Sequence, residues 1–149
     1  MAEAAIRKPD LRIDQISARL HSLGDAGVVG APATPDLLAE VESRVGLALP
    51  QPVRAFWQAF DGIEVVDPPF QIHQLANLTY SGSLLTFCRC NHEHSLAFRT
   101  VVNEAGEWSI VNAESAFTVT MTMASFAVTR MWSWLLQRRP IWQEEDRAS

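Results

Sequence analysis

Apolar residues recur at three- and four-residue steps in three stretches of the first 60 residues, which is the spacing of amphipathic helices. Thr34 followed by Pro35 is typical of a helix N-terminus, and Gly46 is typical of a helix end. The predicted helices cover residues 11–23, 34–45 and the stretch from Leu49-Pro50 to Asp61-Gly62. The third helix has a largely aromatic face that we expect to pack against the sheet and the last helix, formed by Phe56, Trp57 and Phe60.

After residue 62 the pattern changes to short runs of β-branched and aromatic residues between turn residues, which is typical of strands. A hairpin turn is predicted over 103–106, and Ser125 is the predicted cap of a final helix that ends at Pro140. In the last strand Phe117, Val119 and Met121 are expected to face inward. The predicted strands are 63–66, 70–75, 83–90, 95–102, 107–111 and 117–122. Helices, then strands, then a helix predict an α+β fold with a mainly antiparallel sheet, packed with N-terminal helices and a C-terminal helix.

The chain has 149 residues, 48% of them hydrophobic and 19% charged, which is typical of one folded domain with a sizeable core. Three glycines between 24 and 30 predict a Gly-rich connection after an N-terminal helix. The expected organisation is therefore 1–30 for this helix and connection, 31–143 for the main α+β domain, and 144–149 for a polar tail. No apolar run approaches the length of a membrane span and no secretory signal is recognisable, so we expect a cytoplasmic protein with no membrane partner.

The net charge of -5 argues against a nucleic-acid partner, because nucleic acids bind basic surfaces. Acidic residues are concentrated between 31 and 70, with six acids against two bases, and between 100 and 129, with three acids and no base. Such a surface suits a basic partner, and ordinary solubilising charge is the alternative. Carboxylate pairs such as Asp61 and Glu64 are interpreted as surface charge, and no residue is singled out as catalytic.

The segment 88–94 contains four zinc-ligand residue types, Cys88, Cys90, His92 and His94. Spread along an extended strand they span about 20 Å, which is too far for one ion with bonds of roughly 2.0–2.3 Å. We therefore expect no metal and no cofactor, and we expect both cysteines to be reduced and to share one face of a strand. A small Cys/His metal-dependent enzyme built on this segment is the alternative.

Several short motifs together resemble the SUKH superfamily, which contains a yeast cell-wall-synthesis regulator and many bacterial immunity proteins. The acidic helix 33–42, the Leu49-Pro50 start of an aromatic helix and the Asp61-Gly62 end resemble the opening of these domains. The Leu-Leu-Thr-Phe run 84–87 with the strand segment 95–98 resembles their central hairpin, and the Ser125-Phe126 pair resembles their closing motif. The resemblance covers roughly residues 31–137.

The resemblance implies a binding domain without catalysis. Its protein partner would be a bacterial toxin domain, often a nuclease, that the immunity protein neutralises by direct contact. A regulatory or scaffold module of the same fold, without a toxin partner, is the alternative. We expect recognition to use an acidic, partly aromatic face, because acids in exposed loops adapt to a partner and steer a basic one. The candidate partner-binding residues are Glu64 and Asp67, after the aromatic helix, and Glu104 and Glu107, beside the tip of the predicted hairpin.

Overall fold

A computed structural model of the protein describes residues 12–24, 27–66, 69–90 and 94–131. In these residues the chain has four helices and one eight-stranded antiparallel sheet, which confirms the predicted α+β class. The helices are α1 (Ile13–Ser22), α2 (Pro35–Val45), α3 (Gln51–Ala59) and α4 (Met123–Ser125), which continues as a π-helical turn over Phe126–Met131. The strands are β1 (Gly27–Val29), β2 (Ile63–Val65), β3 (Phe70–Ile72), β4 (Thr79–Ser81), β5 (Leu84–Cys90), β6 (His94–Val102), β7 (Trp108–Asn112) and β8 (Thr118–Thr120).

Neighbouring strands follow the order β1-β2-β3-β5-β6-β7-β8, and β4 pairs with the first half of β5. Two strands were missed by the sequence pattern. β1 lies inside the predicted Gly-rich connection and pairs with β2, while β4 lies between the predicted strands 70–75 and 83–90. β2 and β3 are equally short but alternate apolar, polar and apolar residues, whereas β1 (Gly-Val-Val) and β4 (Thr-Tyr-Ser) lack this pattern.

The predicted ends of α2 are confirmed in atomic detail. The Thr34 hydroxyl accepts a hydrogen bond from the Leu37 N–H at 3.1 Å, and Pro35 occupies the first helical position. Gly46 ends the helix with a φ of 83°, in the left-handed region that favours glycine. The sequence signals at both ends therefore correspond to real capping interactions.

The helices and the inner face of the sheet share one hydrophobic core, and the aromatic face of α3 lies at its centre. Trp57 is fully buried, and its ring packs edge-on against Phe56, Phe87 and Phe98 with centroids 5.2 to 6.0 Å apart. Phe87 in turn contacts Phe126 in the π-helical turn that follows α4 at 5.8 Å. α3 itself also lies against α4, so the predicted packing of the aromatic helix against the sheet and the last helix is confirmed for the helix and for Trp57 against the sheet.

The N-terminal helix belongs to the same core. Ile16 and Leu20 of α1 are buried with the rest of the cluster. A Cβ on Gly27, at the start of β1, would lie 3.3 Å from the Leu23 side chain, so α1 and β1 pack closely. Residues 12–24 and 27–30 thus contribute a helix and an edge strand to the fold.

Two expectations near the C-terminus are wrong. Met121 is 43% exposed, because β8 ends at Thr120 and the inward and outward alternation ends with it. The cap of α4 is Thr122, whose hydroxyl accepts from the Ser125 N–H at 3.0 Å, and Ser125 lies inside the helix. The predicted end of this helix at Pro140 and the polar tail lie outside the described residues.

Within the described residues, no helix has the length and apolar character needed to cross a membrane.

Candidate functional site

Four exposed side chains form a straight line across the outer face of the sheet, on the side opposite the core. The strand register pairs Val28 with Glu64, Glu64 with Gln71, and Gln71 with Arg89. All four are exposed. We call these four residues the outer-face row. They bring one apolar, one acidic, one amide and one basic side chain together on β1, β2, β3 and β5.

Alternation in the short strands places the row outside. In β2 and in β3 the first and third residues are buried and the second is exposed, so Glu64 and Gln71 face solvent. In β5 the pairing with β6 shifts between Thr86 and Cys88, as in a β-bulge. The bulge allows Phe87 and Cys88 to be buried in succession, so that Arg89 faces outward.

Beyond β5 this face is partly covered. Ala97 in β6 and Val111 in β7 pair with each other on the same side of the sheet, and both are fully buried. Ser95, which pairs with Arg89, is half-buried, whereas Arg99 farther along β6 is exposed.

A pocket of about 260 Å³ lies beside the row, where β2 begins and β3 ends. We call it the Asp61 pocket. The side chains that define it are Val28, Asp61, Glu64, Gln71, Gln74 and Asn77. Two acids and three amides face this space together with one apolar side chain, so the pocket is rich in hydrogen-bond acceptors.

The walls of the Asp61 pocket are held by a junction of three chain segments. The Asp61 carboxylate accepts from the Leu75 N–H at 2.8 Å, and the Asp61 N–H donates to the Ala31 carbonyl at 3.1 Å. The Gly30 N–H donates to the Gly62 carbonyl at 2.9 Å, and Gly62 has a φ of 100°. A Cβ on Gly30 would overlap the Asp61 carbonyl oxygen, so only glycine permits this close approach. The Asp61-Gly62 motif therefore has a structural role as well as a place in the pocket.

Electrostatics at this face are shaped by Arg89 as well as by the acids. A second, smaller pocket of about 50 Å³ lies between Glu64 and Arg89 and is lined also by Gln71. Burial, and then the nearby charge of Arg89, lower the pKa of His73 from its usual 6.5. On this face the acidic Glu64 of β2 and the basic Arg89 of β5 are thus separated by one strand, β3.

The structure does not bring together those predicted partner-binding residues that it describes. Glu64 is exposed in the outer-face row, as expected. Asp67 lies outside the described residues. Glu104 is exposed in the turn between β6 and β7. This turn follows the end of β6 that lies away from the row. At about 3.3 Å per residue, the distance along β6 from the level of the row to the turn is about 20 Å. Glu64 and Glu104 therefore do not form one local patch.

The expectation that Glu107 is exposed is wrong, since only 8% of this residue is accessible to solvent. Its side chain points toward the start of α4, where one carboxylate oxygen lies 3.4 Å from the Met123 N–H. Its own N–H donates to the Asn103 side-chain oxygen, which also holds the turn. A carboxylate at a helix N-terminus stabilises the helix end, so Glu107 is a structural residue.

A second acid, Glu42, also has a structural role, and it lies in one of the motifs that resemble the SUKH superfamily. Glu42 of α2 accepts from the Leu49 N–H at 2.6 Å and forms an ion pair with Arg54 of α3 at 3.0 Å. The carboxylate thus fixes the Leu49-Pro50 turn between the two helices. Part of the negative charge between 31 and 70 is therefore used inside the fold.

The cysteine segment is buried where the structure describes it. Cys88 and Cys90 are free thiols, both buried on one face of β5 as predicted. Burial raises the pKa of Cys88 well above its usual value, with a further contribution from the hydrogen bond to Cys90, which disfavours a reactive thiolate. His92 lies outside the described residues. Among the residues that are described, no three His, Cys, Asp or Glu side chains are grouped as metal ligands.

Val28, Gln71 and Arg89 were not recognised from the sequence as possible site residues. Their alignment depends on β1, on the register of three strand pairs and on the bulge in β5, none of which a local pattern specifies. The alternation in 63–65 and 70–72 is the one available signal, and it would have placed Glu64 and Gln71 on the same side of the sheet.

Comparison with models of known protein families and with the sequences of characterised proteins found no match to this chain.

Proposed function

We propose that this protein is a non-catalytic cytoplasmic binding protein of the SUKH type that neutralises a bacterial toxin domain by direct contact. The proposal starts from the sequence motifs that resemble immunity proteins. It is supported by the local structures that these motifs form, a capped acidic helix, a Leu-Pro turn fixed by Glu42 and a tight Asp61-Gly62 junction. These features build a frame for the sheet, and the sheet then supplies the surface for recognition.

The observation that carries the proposal is the outer-face row. It places exposed Val28, Glu64, Gln71 and Arg89 in one line on four neighbouring strands. Interfaces between proteins that also exist separately combine apolar and polar groups, and arginine is enriched in them. The row has this mixed composition. Because a packed core supports the strands from behind, these residues are presented on a rigid backbone, which lowers the entropy lost on binding.

Charge favours a basic partner. The chain carries a net charge of -5, and the Asp61 pocket places the Asp61 carboxylate beside Glu64 of the row. A toxin that acts on nucleic acid needs a basic surface to hold phosphates. An acidic surface that covers it would associate quickly, because complementary fields accelerate encounter. A nuclease domain is therefore the toxin class that this surface suits best.

Co-expression with the toxin domain encoded beside the gene of this protein tests the proposal. We expect cells that make both proteins to survive, and the two purified proteins to form a stoichiometric complex. Glu64→Lys, at the centre of the row, should abolish protection, whereas the matched Glu104→Lys change at the distant turn should preserve it. Growth arrest despite folded wild-type protein would refute the toxin-neutralising function and favour the scaffold alternative.

A further inference from the structure

The Asp61 pocket offers hydrogen-bond acceptors that the fold itself leaves largely unused. Within the described part of the chain, the side chains of Glu64, Gln71, Gln74 and Asn77 make no hydrogen bond or ion pair. Asp61 uses one carboxylate oxygen for the Leu75 N–H. None of the described residues that line the pocket is lysine, arginine or histidine, so among them no cationic side chain occupies this space.

The size of the pocket suits one side chain. Its volume of about 260 Å³ is below the range of about 300–1,000 Å³ that holds small-molecule ligands. It is also much wider than a site for one directly coordinated divalent ion, whose oxygen ligands lie about 2.0–2.6 Å away. A single flexible side chain with a charged end is the ligand that matches this space.

Among the cationic side chains, arginine fits the acceptors best. Its planar guanidinium presents five N–H donors in a fixed fork and pairs well with carboxylates. The pocket spreads its acceptors over two carboxylates and three amide oxygens, whereas the lysine ammonium is a compact charge with three donors. The exposed Val28 at the rim gives the methylene part of an arginine an apolar surface to lie on.

We propose that the Asp61 pocket receives an arginine side chain of the partner protein. That this partner is a toxin rests on the proposed function. The preference of the pocket for an arginine side chain does not depend on it. The junction at Gly30 and Gly62 holds the pocket walls before the partner arrives, and Asp61 is fixed by Leu75. Binding therefore requires little rearrangement of this protein.

The test is an NMR titration of the full ¹⁵N-labelled chain with N-acetyl-L-argininamide, which mimics an arginine within a chain. We expect saturable shifts confined to the backbone of Gly62 and Glu64 and to the side-chain amides of Gln71, Gln74 and Asn77. The matching citrulline compound has the same shape without the charge, and we expect it to bind at least tenfold more weakly. Glu64→Gln should weaken binding of the arginine probe at least threefold, and Glu104→Gln should leave it unchanged.

Scattered shifts, no shifts, equal binding of the citrulline probe, or equal affinity in Glu64→Gln would each overturn the proposal. Free L-arginine binding at least tenfold more tightly than the capped probe would also overturn it, because the ligand would then be the free amino acid. The titration needs no toxin. A negative titration would therefore refute the arginine pocket alone, whereas growth arrest in the co-expression experiment would refute toxin neutralisation.

Discussion

Trp57 lies at the contact between α3 and the inner face of the sheet. It is fully buried, contacts the rings of Phe56, Phe87 and Phe98, and donates its indole N–H to the His73 carbonyl at 3.0 Å. Replacing a buried tryptophan by alanine costs about 3–5 kcal/mol, because the transfer energy is lost and a cavity remains. This is a large share of the roughly 5–15 kcal/mol that stabilises a typical domain.

A second variant separates the ring from its hydrogen bond. Trp57→Phe keeps an aromatic ring in the core but leaves the His73 carbonyl without its donor, which costs about 1–3 kcal/mol if no water replaces it. Urea denaturation followed by far-ultraviolet circular dichroism gives the free energy of unfolding for both variants. Val101→Ala, at a residue 60% exposed, is the control and should change stability by no more than about 0.5 kcal/mol. A loss below about 1 kcal/mol in Trp57→Ala would refute the central position of this residue. Should the alanine variant not fold, Trp57→Phe still measures the combined loss of the hydrogen bond and of the larger ring.

Three further predictions concern groups inside the fold. Glu42→Ala should lower the free energy of unfolding by about 1–3 kcal/mol, since the Leu49 N–H loses its charged acceptor, and urea denaturation measures this loss. Cys88 should react with a thiol reagent slowly in the native protein and completely in urea, because it is buried and its pKa is raised, and rapid native labelling would contradict this. The pKa of His73 is lowered from 6.5 by burial and Arg89, so the unfolded chain binds more protons and stability should fall as the pH drops below about 6.5. Denaturation at several pH values should show a weaker dependence in His73→Gln, and an unchanged dependence would contradict this account.

Much of the fold could be predicted because its signals are local. The α2 helix is specified at both ends by residues that cap it, Thr34 and Gly46, and the aromatic face of α3 follows from spacing alone. The turn between β6 and β7 is held by Asn103, whose side chain accepts from the Ala105 N–H at 2.8 Å and donates to the Met121 carbonyl at 2.8 Å. Asparagine and glycine in such a turn are recognisable without knowledge of the tertiary structure.

The site was less predictable because it depends on contacts distant in sequence. Val28 lies beside Glu64, although 36 positions separate them along the chain, and only the pairing of β1 with β2 brings them together. The burial of Glu107 is decided by α4, which begins at Met123 and covers its carboxylate. An acid next to a hairpin turn is usually exposed, and nothing local indicates a helix end above it. Sequence position therefore predicted the exposure of Glu64 correctly and misjudged that of Glu107.

We propose that this protein binds a basic toxin through the outer-face row. The most direct test is the association rate of purified toxin domain with wild type, Glu64→Lys and Glu104→Lys at low and at moderate salt. We predict that Glu64→Lys slows association at least tenfold at low salt and flattens its salt dependence, because the attraction between unlike charges is lost. Glu104→Lys, which makes the same change in net charge about 20 Å away, should have a much smaller effect. Equal rates for wild type and Glu64→Lys would contradict the account.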